Sequence, residues 1–79
     1  MQAKIYSAQW CAWCQRAKAL LRQHDIEIDE IDITDDVELQ KEAIRESGQR
    51  TIPQIWIDGE YVGGYTELAA RLTGQADAA

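Results

Sequence analysis

The spacing of hydrophobic positions changes along the chain, and each change predicts a different element. Between residues 12 and 24 the apolar side chains recur at helical intervals on one face, at Trp13, Ala17, Leu20 and Leu21, with His24 at the end. Residues 4–7 predict a short strand before this helix. Isoleucines alternate with carboxylates over residues 26–33, which predicts a second strand. The alternation breaks at Asp29-Glu30, so we expect a bulge or a strand end there.

The second half of the chain carries the signals of a helix and a hairpin. Asp35 is followed three residues later by Glu38, a pair typical of a helix start, and Gly48 is suited to end that helix after Ser47. Two short apolar runs then flank Asp58-Gly59, a dipeptide that strongly favours a two-residue hairpin turn.

A third helix is expected after the hairpin. Gly63-Gly64 interrupts the last strand, Thr66 can cap a helix that runs to Leu72, and Gly74 can end it. The order is therefore β-α-β-α-β-β-α, which predicts a four-stranded mixed sheet with helices on its faces, because a βαβ crossover makes its strands parallel. We expect one domain over residues 1–79, with residues 75–79 frayed.

Length and charge exclude several functional classes. The chain has 79 residues and a net charge of −6, so a two-domain enzyme and a binder of nucleic acid or anionic membranes are disfavoured. Eight of the 14 carboxylates lie between Asp25 and Glu38, which predicts a solvated edge and loop, or else a docking face for a basic partner. No apolar stretch approaches the length of a membrane span and no signal peptide fits, so we expect a cytoplasmic protein.

The cysteines carry the clearest chemical signal. Cys11 and Cys14 are the two cysteines of the chain, and they enclose Ala12-Trp13 where the first strand gives way to the first helix. One helical turn brings two such thiols close enough for a disulfide. Free N–H groups at the helix start favour an anionic thiolate, so Cys11 is the expected nucleophile and the more buried Cys14 the resolving thiol. The alternatives are two ordinary buried side chains or a zinc site, but zinc needs four ligands and His24 lies too far along the helix.

Two further motifs are compatible with a bound substrate. Pro53, the one proline of the chain, stands in Thr51-Ile52-Pro53 before an apolar strand, where its missing N–H costs no ladder bond. The segment Gly63 to Glu67 places two glycines before a helix, where exposed N–H groups can approach an anion. Taken alone, the first motif also fits a trans proline at a strand start and the second a plain turn.

These motifs together resemble those of a dithiol glutaredoxin. The resemblance covers residues 3 to 73, and it rests on Cys11-x-x-Cys14, Thr51-Ile52-Pro53, Ile57-Asp58-Gly59 and Gly63 to Thr66 in the right order and spacing. It implies a thioredoxin-like fold with a mixed sheet of strand order 2-1-3-4 and three flanking helices. It also implies a cis bond before Pro53 and a glutathione-disulfide oxidoreductase that uses glutathione as co-substrate.

The resemblance also implies residue roles. Cys11 would be the nucleophile and Cys14 the resolving thiol, acting on disulfide-containing or glutathionylated proteins. The glutathione-binding positions would be Trp13, Gln40, Thr51, Ile52, Pro53, Gly64, Tyr65 and Thr66. The tripeptide would lie over Trp13, with its cysteinyl backbone paired to Ile52. Its γ-glutamyl carboxylate would meet the Gly64 turn and its glycyl carboxylate would meet Gln40.

Three positions depart from the usual pattern of the family. Ala8 replaces a customary lysine, for which Arg16, Lys18 or Arg50 could substitute; Ala12 replaces the motif proline; and Trp13 replaces a smaller aromatic residue. Because family members without the proline sometimes bind a cluster, a second hypothesis remains. In it the chain carries a two-iron two-sulfur cluster as a homodimer, bridged by Cys11 of each copy and two glutathiones. The first hypothesis expects a monomer without a metal.

Overall fold

The computed structural model describes residues 1–73 of the chain, which form four strands and three helices. The elements, in chain order, are β1 (Gln2–Ser7), α1 (Ala12–Gln23), β2 (Glu27–Asp32), α2 (Val37–Ser47), β3 (Gln54–Ile57), β4 (Glu60–Gly63) and α3 (Tyr65–Thr73). The sheet has the order β2-β1-β3-β4, with β1 parallel to β2 and antiparallel to β3. The predicted mixed sheet of order 2-1-3-4 with three helices is therefore confirmed.

Strand β2 runs without the bulge that the sequence suggested. Its pairing with β1 is continuous from Gln2↔Glu27 to Ser7↔Asp32. The alternation breaks at Asp29-Glu30 for a different reason, because the sheet is covered on both faces. Ile28 packs against the cluster beneath α1 and α3, whereas Ile31 packs on the opposite face with Tyr6 and Ala43. A strand with apolar partners on both sides has no strict period of two.

The buried face of α1 differs from the predicted one. Cys14, Ala17, Lys18 and Leu21 are buried, whereas Trp13 and His24 are exposed. Lys18 can turn inward because its Nζ lies 2.7 Å from Glu30 Oε2 on β2, so the charge is paired where it is buried. The apolar pattern alone cannot anticipate a buried lysine. The buried face is therefore rotated by about one residue from the predicted one.

Local capping explains where the helices begin and end. The cap of α2 is Asp36 rather than Asp35, and its carboxylate accepts a hydrogen bond from the Leu39 N–H at 3.0 Å. The helix ends at Gly48 with a φ of 74°, as predicted. Helix α3 begins at Tyr65, one residue before the predicted Thr66 start.

The hairpin joins β3 to β4 at the predicted Asp58-Gly59 turn. Both turn residues have positive φ, 49° and 86°, which is the backbone of the favoured two-residue turn. Ile55 pairs with Gly63 and Trp56 pairs with Tyr61, so Val62 is an extra, bulged residue in β4. The predicted stop at Gly74 and the frayed residues 75–79 lie outside the described residues.

Two apolar clusters hold the sheet between its helices. The larger lies under α1 and α3 and consists of Ala3, Ile5, Ala17, Leu21, Ile26, Ile55, Ile57 and Leu68. The smaller lies under α2 around Tyr6, Ile33 and Ala43. A third group, Ala8 with Cys11 and Cys14, lies where β1 leads into α1. The cysteines therefore lie at the end of β1, on a sheet that is packed on both faces by the two larger clusters.

The acidic segment forms an exposed edge of the molecule. Strand β2 is the outer strand of the sheet, and its carboxylates point to solvent or to the Lys18 pair. A charged edge discourages pairing with another strand. The carboxylates are exposed, as both the solvated edge and the docking face require. Among residues 1–73, no helix combines the length and the apolar character that crossing a membrane requires.

Candidate active site

The two cysteines lie at the first turn of α1, where the backbone itself positions them. Cys11 is the N-cap residue, with φ −93° and ψ 106°, and its Sγ accepts a hydrogen bond from the Cys14 N–H at 3.1 Å. The Cys11 N–H donates to the Ala8 carbonyl at 3.2 Å. Both thiols are free, Cys11 retaining 7 % of its surface and Cys14 none. Cys11 is thus the more accessible sulfur and lies where helix N–H groups favour negative charge.

The Cys14 thiol is held in its protonated form. Burial, followed by the hydrogen bond and the charge of Cys11, raises its pKa from 9.0 to about 12. A backbone hydrogen bond with Ala8 and the charge of Lys18 act in the opposite direction, to a smaller extent. A protonated thiol is a much poorer nucleophile than a thiolate. Cys14 is therefore suited to the second step of a reaction and Cys11 to the first.

The cations near the site have separate partners. Ala8 is buried against both cysteines, so no charge occupies the position of the customary lysine. Lys18 is engaged by Glu30, whose pKa is lowered by Lys18 and by the Ser7 hydroxyl, which donates to it at 2.6 Å. The Arg16 guanidinium lies over the Trp13 ring at 4.6 Å from the ring centre. Arg16 is therefore the cation held against the Trp13 ring.

A groove of about 510 Å³ opens beside the cysteines. It is lined by Trp13, Gln49, Thr51, Ile52, Pro53, Tyr61, Val62, Gly63, Gly64, Tyr65, Thr66 and Glu67. The Trp13 ring is half exposed and tilts against the Tyr65 ring, with 5.2 Å between the centres. The indole is thus fixed as one wall of the groove rather than as part of the core.

The proline motif approaches the nucleophile directly. The bond between Ile52 and Pro53 is cis, as the resemblance implied. The Ile52 carbonyl oxygen lies 3.9 Å from the Cys11 Sγ, and Ile52 also packs against the group formed by Ala8 and the cysteines. A chain that pairs with the Ile52 backbone would therefore lie beside Cys11.

The glycine turn has its first N–H already engaged. The Gly64 N–H donates to Glu67 Oε1 at 2.7 Å, half of a capping box. A side chain at Gly63 would be unfavourable for two reasons. Its φ of 124° disfavours any residue with a Cβ, and that Cβ would lie 2.9 Å from Glu67 Oε1. Glu67 was not among the predicted site residues, although an acid three residues after Gly64 is a recognisable capping signal.

The groove brings together all but one of the predicted glutathione contacts. Trp13 and the residues of both downstream motifs line it, together with Gln49, Tyr61 and Val62, which the sequence did not indicate. Gln40 instead donates from Nε2 to the Ile33 carbonyl at 2.9 Å and lines a neighbouring groove of about 210 Å³. Both grooves share Ile52, so Gln40 lies on the other side of that residue.

Comparison with known proteins decides the family. A model of the glutaredoxin family matches residues 3–62. The chain belongs to the glutaredoxin family. It is 41 % identical over 75 residues to a glutaredoxin of Pseudomonas aeruginosa, covering 94 % of this chain and 89 % of that protein. Fold, family and the two close thiols make it a thiol-disulfide oxidoreductase.

Solved glutaredoxins share the fold along most of their length. The solution structure of the Brucella melitensis glutaredoxin is 39 % identical with a TM-score of 0.77, covering 99 % of this chain and 86 % of that one. The buckwheat glutaredoxin-glutathione complex is 25 % identical with a TM-score of 0.78, covering 92 % and 70 %. Among the described residues of the present glutaredoxin, no three His, Cys, Asp or Glu side chains are grouped to hold a metal ion.

Proposed function

We propose that this glutaredoxin reduces protein disulfides and glutathione mixed disulfides with glutathione as the reductant. The observation that carries the proposal is the groove of about 510 Å³, which joins an aromatic platform, the Ile52 backbone and a glycine turn beside Cys11. A relative of similar fold, from buckwheat, has been solved as a complex with glutathione. A tripeptide thiol suits a groove of this kind because its carboxylate, its backbone and its sulfur can meet the helix N-terminus, the Ile52 backbone and Cys11, respectively.

The proposed pose follows the groove from one end to the other. The γ-glutamyl carboxylate lies at the N-terminus of α3, near Gly64, Tyr65 and Thr66, where helix N–H groups favour an anion. The cysteinyl residue pairs with Ile52 between Thr51 and Pro53. The glycyl carboxylate lies beyond Ile52, toward Gln40.

The first chemical step uses Cys11, the more accessible of the two thiols. The Cys11 thiolate attacks one sulfur of the substrate disulfide, a new disulfide forms, and the other sulfur leaves as a thiolate. With a glutathionylated protein, the sulfur attacked is that of glutathione, and the protein leaves as a thiol. A second glutathione thiolate then attacks the Cys11-bound glutathione, releasing glutathione disulfide and restoring Cys11.

Protein disulfides need the second thiol. Cys14 gives up its proton and attacks the Cys11 sulfur, so the substrate leaves as a dithiol and an intramolecular disulfide remains. Two of the causes that hold the pKa of Cys14 near 12 are the hydrogen bond and the charge of Cys11. Both disappear once Cys11 is in a mixed disulfide. Formation of the first intermediate therefore prepares Cys14 for its own step.

The cluster-bridged homodimer stays a prediction from Ala12. It would use Cys11 of two copies together with two glutathione thiols, so its metal ligands would not come from one chain alone. No contact among residues 1–73 favours it over the enzyme. Protein purified without oxygen would show the visible absorbance of a cluster and a dimer if this alternative holds.

The test is the rate of glutathione-dependent reduction of a small mixed disulfide, coupled through glutathione reductase to NADPH oxidation. We expect Cys11→Ser to abolish the rate. Cys14→Ser should keep deglutathionylation and lose reduction of a protein disulfide. Equal loss of both activities in Cys14→Ser would contradict the roles assigned here, and no rate with wild-type protein would overturn glutathione dependence.

A further inference from the structure

A second, smaller groove lies on the other side of Ile52. It has a volume of about 210 Å³, and five of its lining residues are apolar: Trp10, Ile33, Ala43, Ile44 and Ile52. Gln40, Arg50 and the buried Gln54 provide the polar groups at this site. Trp10 immediately precedes Cys11 and leaves 71 % of its surface exposed. An apolar groove is thus continuous with the nucleophile through Ile52.

Glutathione leaves this apolar surface uncovered. In the proposed pose the residue after the reactive cysteine lies beyond Ile52, toward Gln40. In glutathione that residue is glycine, which has a carboxylate for Gln40 but no side chain for the indole or the isoleucines. A cavity of about 150 Å³ holds a benzene ring in other proteins. The groove is therefore large enough for a leucine or phenylalanine side chain.

We propose that this groove selects polypeptide substrates that carry a large apolar residue directly after the cysteine attacked by Cys11. The inference rests on the proposed function for the direction in which the substrate lies along Ile52. Trp10 is the specificity-determining residue, because its ring lines the groove and would cover the apolar side chain of the substrate. The ring is exposed and is not part of the core. Arg50, at the same groove, favours an acidic residue farther along the substrate rather than a basic one.

The chemistry at this subsite is that of the dithiol reaction. The Cys11 thiolate forms a disulfide with the substrate cysteine, and the partner sulfur leaves as a thiolate. Cys14 then loses its proton and displaces the bound cysteine, so two enzyme thiols become one disulfide and one substrate disulfide becomes two thiols. The apolar side chain acts while the mixed disulfide forms, when its own cysteine lies against Ile52.

The test uses pre-reduced protein and short peptides in a single turnover, without glutathione. The substrates are the symmetrical disulfides of acetylated, amidated Gly-Cys-Gly, Gly-Cys-Leu and Leu-Cys-Gly, and the released thiol is measured by chromatography. We expect Gly-Cys-Leu to react about tenfold faster than Gly-Cys-Gly at low concentration, the scale of a side chain entering an apolar pocket. In Trp10→Ala that ratio should fall toward one, while the ratio of Leu-Cys-Gly to Gly-Cys-Gly should not change.

Val37→Ala provides the matched control, because Val37 is also an exposed apolar residue and does not line this groove. It should keep the wild-type preference. Equal rates for Gly-Cys-Leu and Gly-Cys-Gly in the wild type would overturn the inference, as would an unchanged ratio in Trp10→Ala. If glutathione failed as reductant but the peptide preference persisted, the proposed function would need revision and the subsite would stand. If no peptide were reduced, both would fail.

Discussion

Selective alkylation of the two thiols would test the electrostatics of the site. Burial and Cys11 raise the pKa of Cys14 from 9.0 to about 12. At neutral pH this leaves about a thousandfold less Cys14 thiolate than an ordinary cysteine would have. Because the thiolate is the reactive form, limiting iodoacetamide should modify Cys11 almost exclusively in reduced protein. Mass spectrometry of the digested protein measures the adduct at each position.

The pH profile separates protonation from steric exclusion. In Cys11→Ser the contributions of the Cys11 sulfur are removed and burial remains, so the Cys14 alkylation rate should rise tenfold per pH unit to a bend between pH 9 and 12. If burial only blocked access of the reagent to the sulfur, the alkylation rate would be lower at every pH and the rate profile would still bend near pH 9. A bend at or below pH 9, or equal initial modification of both thiols in the wild type, would refute the reasoning.

Two further predictions concern stability. Lys18→Met should lower the free energy of unfolding by about 1–2 kcal/mol, because the partner carboxylate loses its cation while staying partly hydrated. Since the pKa of Glu30 is lowered on folding, its stabilisation is complete above pH 4.5 and is lost below it, and this acid loss should shrink in Lys18→Met. Gly63→Ala should cost at least about 1 kcal/mol more than Gly48→Ala, since both have positive φ but only the first meets Glu67.

Urea denaturation of each variant measures these changes. An identical loss of stability between pH 6 and pH 3 in the wild type and in Lys18→Met would show that the ion pair does not lower the pKa of the carboxylate. Equal effects of the two glycine substitutions would show that the Glu67 side chain yields freely to a new methyl group.

The local signals of the sequence were sufficient for the order of elements and for the position of the two cysteines at the start of α1. Asp58-Gly59, Gly48 and the cysteine pair each act through backbone conformation within a few residues, so their outcome depends little on the rest of the chain. The same holds for the mixed sheet, because a crossover followed by a hairpin leaves few topologies. The motif resemblance extended this to residues that line the larger groove, apart from Gln40, which lies across Ile52.

Tertiary contacts decided what the pattern of apolar residues could not. Trp13 lies against Tyr65 at the groove and Lys18 turns inward to Glu30, so the buried face of α1 follows partners on other elements rather than its own periodicity. Whether a tryptophan belongs to the core or to a binding surface depends on which residues face it across the fold. That information is spread over segments far apart in the chain, and it becomes available only when the sheet brings them together.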